Sequence, residues 1–310
     1  MNAIKQKTLS ERSRGDKIFF WALMIWPIIQ FSIFVIYVNL DSFPLAFQKY
    51  DVDTKKYYFG DLLVNYKRFF GEFTASTEIG KGLLRNLIIY VLSLVINIPM
   101  AMYFSFVVYK KAPGFKAMKV LLYAPTVISA TVWVLIYSQT LENAIPAISE
   151  QIFGVQIRGL LSNTETTFPA LIFYGIWNGV GGSTLLYISA MCGVPEEQSE
   201  SMRIDGANYL QEFIHLTIPG IWPFLSLMLY NGVKSLLTND FHLYTFYGEN
   251  APTHVRTYGY WIAVRKLRAS SNVFDLPYVA AIGLLESAIL IPLMFAVKKM
   301  LSKLGPKTED

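Results

Sequence analysis

The sequence predicts an all-α membrane protein of six transmembrane helices with both termini in the cytoplasm. Three observations carry this expectation. Six long apolar runs divide the 310 residues. The runs are continuous, without the apolar-polar alternation of a membrane β-strand, and a helix lets such a run satisfy its own backbone in lipid. Lysine and arginine gather beside alternate ends of the runs, as they do in cytoplasmic loops. With 53% hydrophobic and only 16% charged residues, and a mean hydropathy of +0.38, the chain falls outside the composition of soluble domains.

Residues 1–17 form a basic cytoplasmic arm carrying Lys5, Lys7, Arg12, Arg14 and Lys17. The first span, 18–38, meets the requirement of about 20 helical residues for the hydrocarbon core. No small-x-small cleavage site follows it, so it reads as a retained anchor rather than a signal peptide. The connection 39–85 is long, mixed in charge and rich in aromatics, and is expected to fold as a small extracytoplasmic cap. A five-helix core, 86–297, then contains spans at 86–109, 120–137, 168–194, 218–237 and 278–297. Charge enters the spans only at Lys234 and Glu286. The tail, 298–310, carries Lys298, Lys299, Lys303 and Lys307, on the same side as the arm and as Lys110, Lys111, Lys116 and Lys119. Arg265, Lys266 and Arg268 go against the charge rule and read as a local feature of an outer loop.

Several chemistries are excluded. The single cysteine, Cys192, permits no intrachain disulfide and reads as a buried small apolar residue. His215, His242 and His254 lack metal-site spacing, so no metal is expected. The net charge of +5 flanks apolar runs instead of forming a stripe with interleaved aromatics, which argues against nucleic acid. An intramembrane enzyme needs paired groups, and Glu286 is the one acid deep in a span, so no catalytic residue is assigned.

The segment 194–223, between the fourth and fifth spans, is longer than a connector requires. Pro195 suits a first helical position, and Glu196 and Glu197 complement the positive helix end. Gly206 interrupts the pattern, a second helix over 207–216 places Leu210, Phe213 and Ile214 on one side, and Pro219 and Pro223 punctuate re-entry into the membrane. A solvated connector is the plain alternative. The spacing resembles the EAA loop of ABC importer permeases, which reads EAA, three residues, Gly, nine residues, I-x-L-P. Here Glu200, Ser201 and Met202 precede Gly206, and Leu216, Thr217, Ile218 and Pro219 close the pattern, with both gaps of the family length. The triplet Asp205, Gly206, Ala207 and the second proline, Pro223, resemble the carbohydrate-uptake branch. Ser201 and Met202 depart from the usual alanines, as changes on a helix surface. The stretches 65–70 and 83–86 are similar to the entry into the family's core.

The resemblance implies a type I ABC importer permease fold in a prokaryotic cell membrane, taking up a sugar or oligosaccharide. It implies that Glu200, Ser201, Asp205, Gly206, Ala207 and Pro219 couple this chain to separate ATPase subunits. It implies a homologous second permease, two ATPase subunits, an extracytoplasmic solute-binding protein and a sugar-like solute as partners, with lipid around the spans. The sequence contains no GxxxxGK[ST] loop, so ATP and Mg are expected on the partner ATPases and no cofactor on this chain. Gly181, Gly182, Ser183 and Thr184 read as a helix-packing stretch instead.

Polar and small residues in the fourth and fifth spans define a solute path: Tyr174, Trp177, Asn178 and Gly179, then Asn231, Ser235 and Asn239 at four-residue spacing on one face. The alternative for this set is helix packing, which is preferred for Gly175 and Gly182. Glu286 is expected to face the bundle, with Lys234 or a span hydroxyl as partner. An ion-coupled secondary transporter using Glu286 and Lys234 remains the competing reading, and it leaves the loop unexplained.

Overall fold

The structure is a computed structural model describing residues 14–75 and 77–306. Most of the N-terminal arm, including Lys5, Lys7 and Arg12, and Lys307 of the tail lie outside these residues. The described residues form two compact units, 14–69 with 269–284, and 70–268 with 285–306.

In the first unit, the helix Gly15–Leu45 has a mean hydropathy of 2.1, and its apolar window is wholly exposed within the chain. At 1.5 Å per residue it is about 46 Å long, more than the hydrocarbon core. The helix therefore runs past residue 38, where the expected span ends. Asn39 and Asp41 looked like the start of a loop, but the Asn39 side chain donates to the Val35 carbonyl at 2.8 Å and the helix continues. A two-stranded antiparallel hairpin follows, Gln48–Asp51 with Lys56–Phe59, so the fold is mostly rather than wholly helical. Asp51 holds its turn by accepting from the Asp53 N–H and the Thr54 hydroxyl. Asn65 fastens the hairpin by donating to the carbonyls of Ala46 and Gln48, both at 2.9 Å.

The second unit carries the core. Its first apolar helix, Glu78–Tyr109, begins before the expected residue 86, because Glu78, Lys81 and Arg85 disguise its opening turns. Arg85 donates to the Arg256 carbonyl at 2.8 Å, and Glu78 pairs with Arg256 at 3.6 Å. The expected single span 120–137 is two helices, Phe115–Val127 and Ala130–Gln139. Ile128 is extended and the Ser129 hydroxyl caps the second helix, an alternative that a β-branched run readily takes over an unbroken helix. The helix Thr164–Met191 starts at the Asn163 cap. It approaches Phe115–Val127 closely because a Cβ on Gly181 would meet the Leu122 carbonyl, whereas Gly182 faces open space within this chain. Of the two glycines expected to pack, Gly181 makes the close approach and Gly182 does not within this chain.

The fifth expected span is a bent pair, Tyr209–Gly220 and Trp222–Thr238, at 73°. The bend falls between Pro219 and Pro223. The last helix is Leu276–Leu304. Among the described residues, four helices qualify as membrane spans by length and composition, or five if the bent pair counts as one. Tyr187 and Met191 of Thr164–Met191 pack with Met102, Phe106 and Leu122, and Leu171 of the same helix packs with Ile89, Phe241 and Leu243. Cys192 is exposed, not buried, because it sits in the turn that leaves this helix.

Candidate functional site

The segment 194–223 folds as helix, turn, helix. Pro195 is the cap of the helix Glu196–Ile204 instead of its first residue, and Glu196 and Glu197 occupy the first turn. The helix stops in a Schellman motif: the Ala207 N–H reaches the Met202 carbonyl at 2.9 Å, and the Gly206 N–H reaches that of Arg203 at 3.0 Å. This motif demands a left-handed residue, and Gly206 supplies φ +86° without the cost of a Cβ. Asn208 then opens the next helix with a reciprocal capping box to Gln211, so that helix starts at Tyr209 rather than 207. Of the three apolar residues expected to share its inner side, Phe213 is buried while Leu210 and Ile214 are exposed. Glu200, Ser201, Asp205 and Gly206 are exposed, Ala207 and Pro219 are half-buried, and Ile204 is 87% exposed beside them.

Beneath this exposed face lies a group that sequence reasoning missed. Glu212 is 2% exposed and forms an ion pair with Lys110, whose ammonium donates to the Ser199 hydroxyl at 2.8 Å. Ser199 in turn donates to Glu212 Oε1 at 2.6 Å, and Arg203 stands 3.7 Å from Oε2. The cluster ties both loop helices to the residue that ends Glu78–Tyr109. Its signal in the sequence was faint, since an acid in a polar loop looks solvated.

A cavity of about 250 Å³ opens against the middle of Thr164–Met191. Asn178, Gly179 and Asn239, three of the residues expected on a solute path, line it. Ser93, Asn97, Gly175, Phe241 and His242, which it did not propose as solute contacts, line it as well. Asn97 donates to the Ile176 carbonyl at 3.2 Å and lies over Gly179, where a side chain would collide with it. Asn178 Nδ2 is 3.4 Å from His242 Nε2. Phe241 and His242 both have positive φ, 56° and 57°, a strained backbone that places these two rings at the wall. Gly175 serves the packing expected of it, receiving the Phe241 ring.

The remaining path residues are elsewhere. Trp177 lines a separate apolar recess of about 220 Å³ with Met100, Phe104 and Phe173, and meets Trp133 edge-on. Tyr174 is buried against Tyr137, His242 and Phe246. Asn231 and Ser235 donate to the Leu227 and Gly232 carbonyls of their own segment. The expected four-residue stripe is interrupted because the helix Trp222–Gly232 ends before Ser235, and Asn239 is extended.

Glu286 is 7% exposed, as expected of an acid facing protein. Its cation is Lys266 at 3.8 Å, not Lys234, which is exposed. Tyr258 hydrogen-bonds the same carboxylate. The cluster that broke the charge rule is thus paired: Arg265 with Glu72 at 2.8 Å, Lys266 with Glu286, and Arg268 with Glu249 at 2.8 Å. Among the described residues no group of three potential metal ligands occurs.

No family model matches this chain. It is 25% identical over 294 residues to the polygalacturonan/rhamnogalacturonan transport system permease protein YteP of Bacillus subtilis, covering 91% of this chain and 88% of the relative. It is also 25% identical to the multiple sugar-binding transport system permease protein MsmF of Streptococcus mutans, over 93% and 96% of the two chains. A bacterial ABC transporter that imports the acidic polysaccharide alginate contains a chain of the same fold, with TM-score 0.73, 19% identity, and coverage of 94% of this chain and 98% of that one. The relatives matched along nearly the whole length of this chain are sugar transport permeases, and the chain shares the fold of a chain from an alginate-importing ABC transporter, in agreement with the loop spacing.

Proposed function

We propose that this chain is one half of the membrane pathway of an ATP-driven, binding-protein-dependent importer of an oligosaccharide. The observation that carries the reading is the segment 194–223: an exposed acidic helix, a glycine in the left-handed conformation and a capped second helix, presented at the end of the bundle. In this reading the six spans include the two-helix segment 115–139 and the bent pair, both termini are cytoplasmic, and ATP hydrolysis belongs to two partner ATPases. A homologous permease forms the other half. Glu200 meets a basic residue of the ATPase groove, Gly206 lets the two backbones approach, and exposed Ile204 fills an apolar pocket there.

The cavity offers the chemistry a glycan needs. Asn97, Asn178, Asn239 and Ser93 supply amide and hydroxyl partners, while Phe241 and the isoleucines present apolar surface to sugar C–H faces. A relative named as a polygalacturonan/rhamnogalacturonan transport permease, and an alginate transporter structure in complex with an alginate pentasaccharide-bound periplasmic protein, support an oligosaccharide solute delivered by a binding protein. The test is to purify the complex through a tag on this chain carrying Glu200→Lys or Gly206→Asp. The expected result is loss of the ATPase subunits, or of transport in vesicles. Normal uptake of neutral and uronate tri- to pentasaccharides by an intact variant complex would overturn the coupling assignment.

A further inference from the structure

The cluster beneath the coupling face sits at one end of a helix whose other end forms the cavity wall. Lys110 follows directly on the helix Ile98–Tyr109, and Asn97 precedes it. The twelve residues of that helix separate the two, so they stand about 20 Å apart at 1.5 Å per residue. Asn97 closes a π-helical turn, Ser93–Asn97, and a second π-helical turn, Phe213–Thr217, starts directly after Glu212. Such turns adjust register inside a helix at little cost and recur at functional sites.

We propose that Lys110, Ser199 and Glu212 are positioning residues that form a joint, through which displacement of the 196–212 segment is delivered along the helix Ile98–Tyr109 to Asn97 and the cavity. This rests on the coupling role given to that segment above. Three features support it. The Lys110 ammonium and the Glu212 carboxylate are both nearly excluded from solvent, so their attraction is weakly screened, and separating them exposes each to an uncompensated site. Ser199 bridges the two charges, which fixes the first loop helix to the same point. The helix Ile98–Tyr109 packs against Thr164–Met191 through Ala101, Met102 and Phe106, with the Ser105 hydroxyl donating to the Thr184 carbonyl at 3.2 Å. A pull on Lys110 therefore moves a packed rod instead of a lone side chain.

The test needs no solute. In a complex whose exposed Cys192 is replaced by serine, Ser93→Cys places a reporter thiol in the cavity wall, and its alkylation rate is measured with and without ATP and vanadate. The parent complex is expected to change that rate at least fivefold. In Lys110→Met, Glu212→Gln and Ser199→Ala complexes, basal ATP turnover is expected to persist while the response falls to below twofold, with Ser199→Ala intermediate. A full response in assembled variant complexes would overturn the proposal. So would loss of assembly in all three variants, Ser199→Ala included, because the cluster would then be a folding element. If the parent itself gave no response to ATP, the coupling reading would fail along with the joint, an outcome distinct from a responding parent with responding variants.

Discussion

Two polar regions in this apolar chain are built on opposite terms. At the loop junction, Glu212 has Lys110, Ser199 and Arg203 around it, and both of its carboxylate oxygens are engaged. In the neighbourhood of the spans, polar atoms are left over: Glu286 Oε1, the Tyr174 hydroxyl and Trp133 Nε1 are buried and have no hydrogen-bond partner among the described residues. A buried polar group without a partner costs about 1–3 kcal/mol. The junction is therefore a paired connection, whereas these interior atoms are unpaired among the described residues. The two buried glutamates mark this contrast, one saturated and one half-satisfied.

The contrast predicts a ranking. Glu212→Leu leaves the Lys110 ammonium buried and unpaired, and is expected to destabilise the purified chain by about 3–5 kcal/mol in thermal unfolding, with much of the loss recovered in Lys110→Met/Glu212→Leu. A Glu212→Leu loss below that of Glu286→Gln would reverse the comparison. The cavity residues come next. Asn178→Ala is expected to lower oligosaccharide uptake about tenfold, equivalent to about 1.4 kcal/mol, with ATP turnover kept. Asn231→Ala and Ser235→Ala should leave uptake within about twofold, since their side chains return to their own backbone. Equal losses at all three would restore the single stripe read from the sequence.

Glu286→Gln is expected to cost about 1 kcal/mol or less. Its Lys266 partner is 49% exposed and 3.8 Å away, a geometry in which solvent screens the pair. A larger loss, matched by Lys266→Met, would show that the pair is stronger than its exposure indicates. The smallest effect concerns salt. Raising NaCl from ~0.05 to ~0.5 M shortens the Debye length from about 14 to about 4 Å, and should remove a few tenths of a kcal/mol held by exposed pairs such as Arg268 with Glu249. The Glu212→Leu penalty should stay unchanged over that range.

Which residues were legible beforehand follows from how their signals are encoded. The loop 194–223 was readable because its elements are local: a Schellman stop at Gly206 and a capping box at Asn208 are set within a few residues of chain. Helix ends were misjudged where charge was used as a boundary marker. Glu78, Lys81 and Arg85 stand inside a helix, and two of them find partners in the distant Arg256. Asn178 and Gly179 stood out in the sequence because a lipid-facing helix has no use for them, whereas His242 did not, since it lies in a strained turn that only folding brings to the cavity wall. Glu286 drew attention as an acid in an apolar run, but its partner could not be read, because Lys266 is equally plausible as a surface charge.

The sequence by itself determined that the chain is a multi-helix membrane protein, where its apolar runs lie, and that one acidic loop has the spacing of a coupling segment. These are properties of composition and of short-range backbone chemistry, and they survive without knowledge of neighbours. The tertiary structure alone decided that 120–137 is broken at Ser129, that Lys110 closes on Glu212, that Lys266 and not Lys234 serves Glu286, and that Trp177 and Asn178 open onto different recesses. The break at Ser129 is capped locally, and the other three depend on contacts between residues far apart in the chain. In lipid, where apolar surface is nearly indifferent to which helix it meets, side-chain fit and the need to pair buried polar groups choose those contacts.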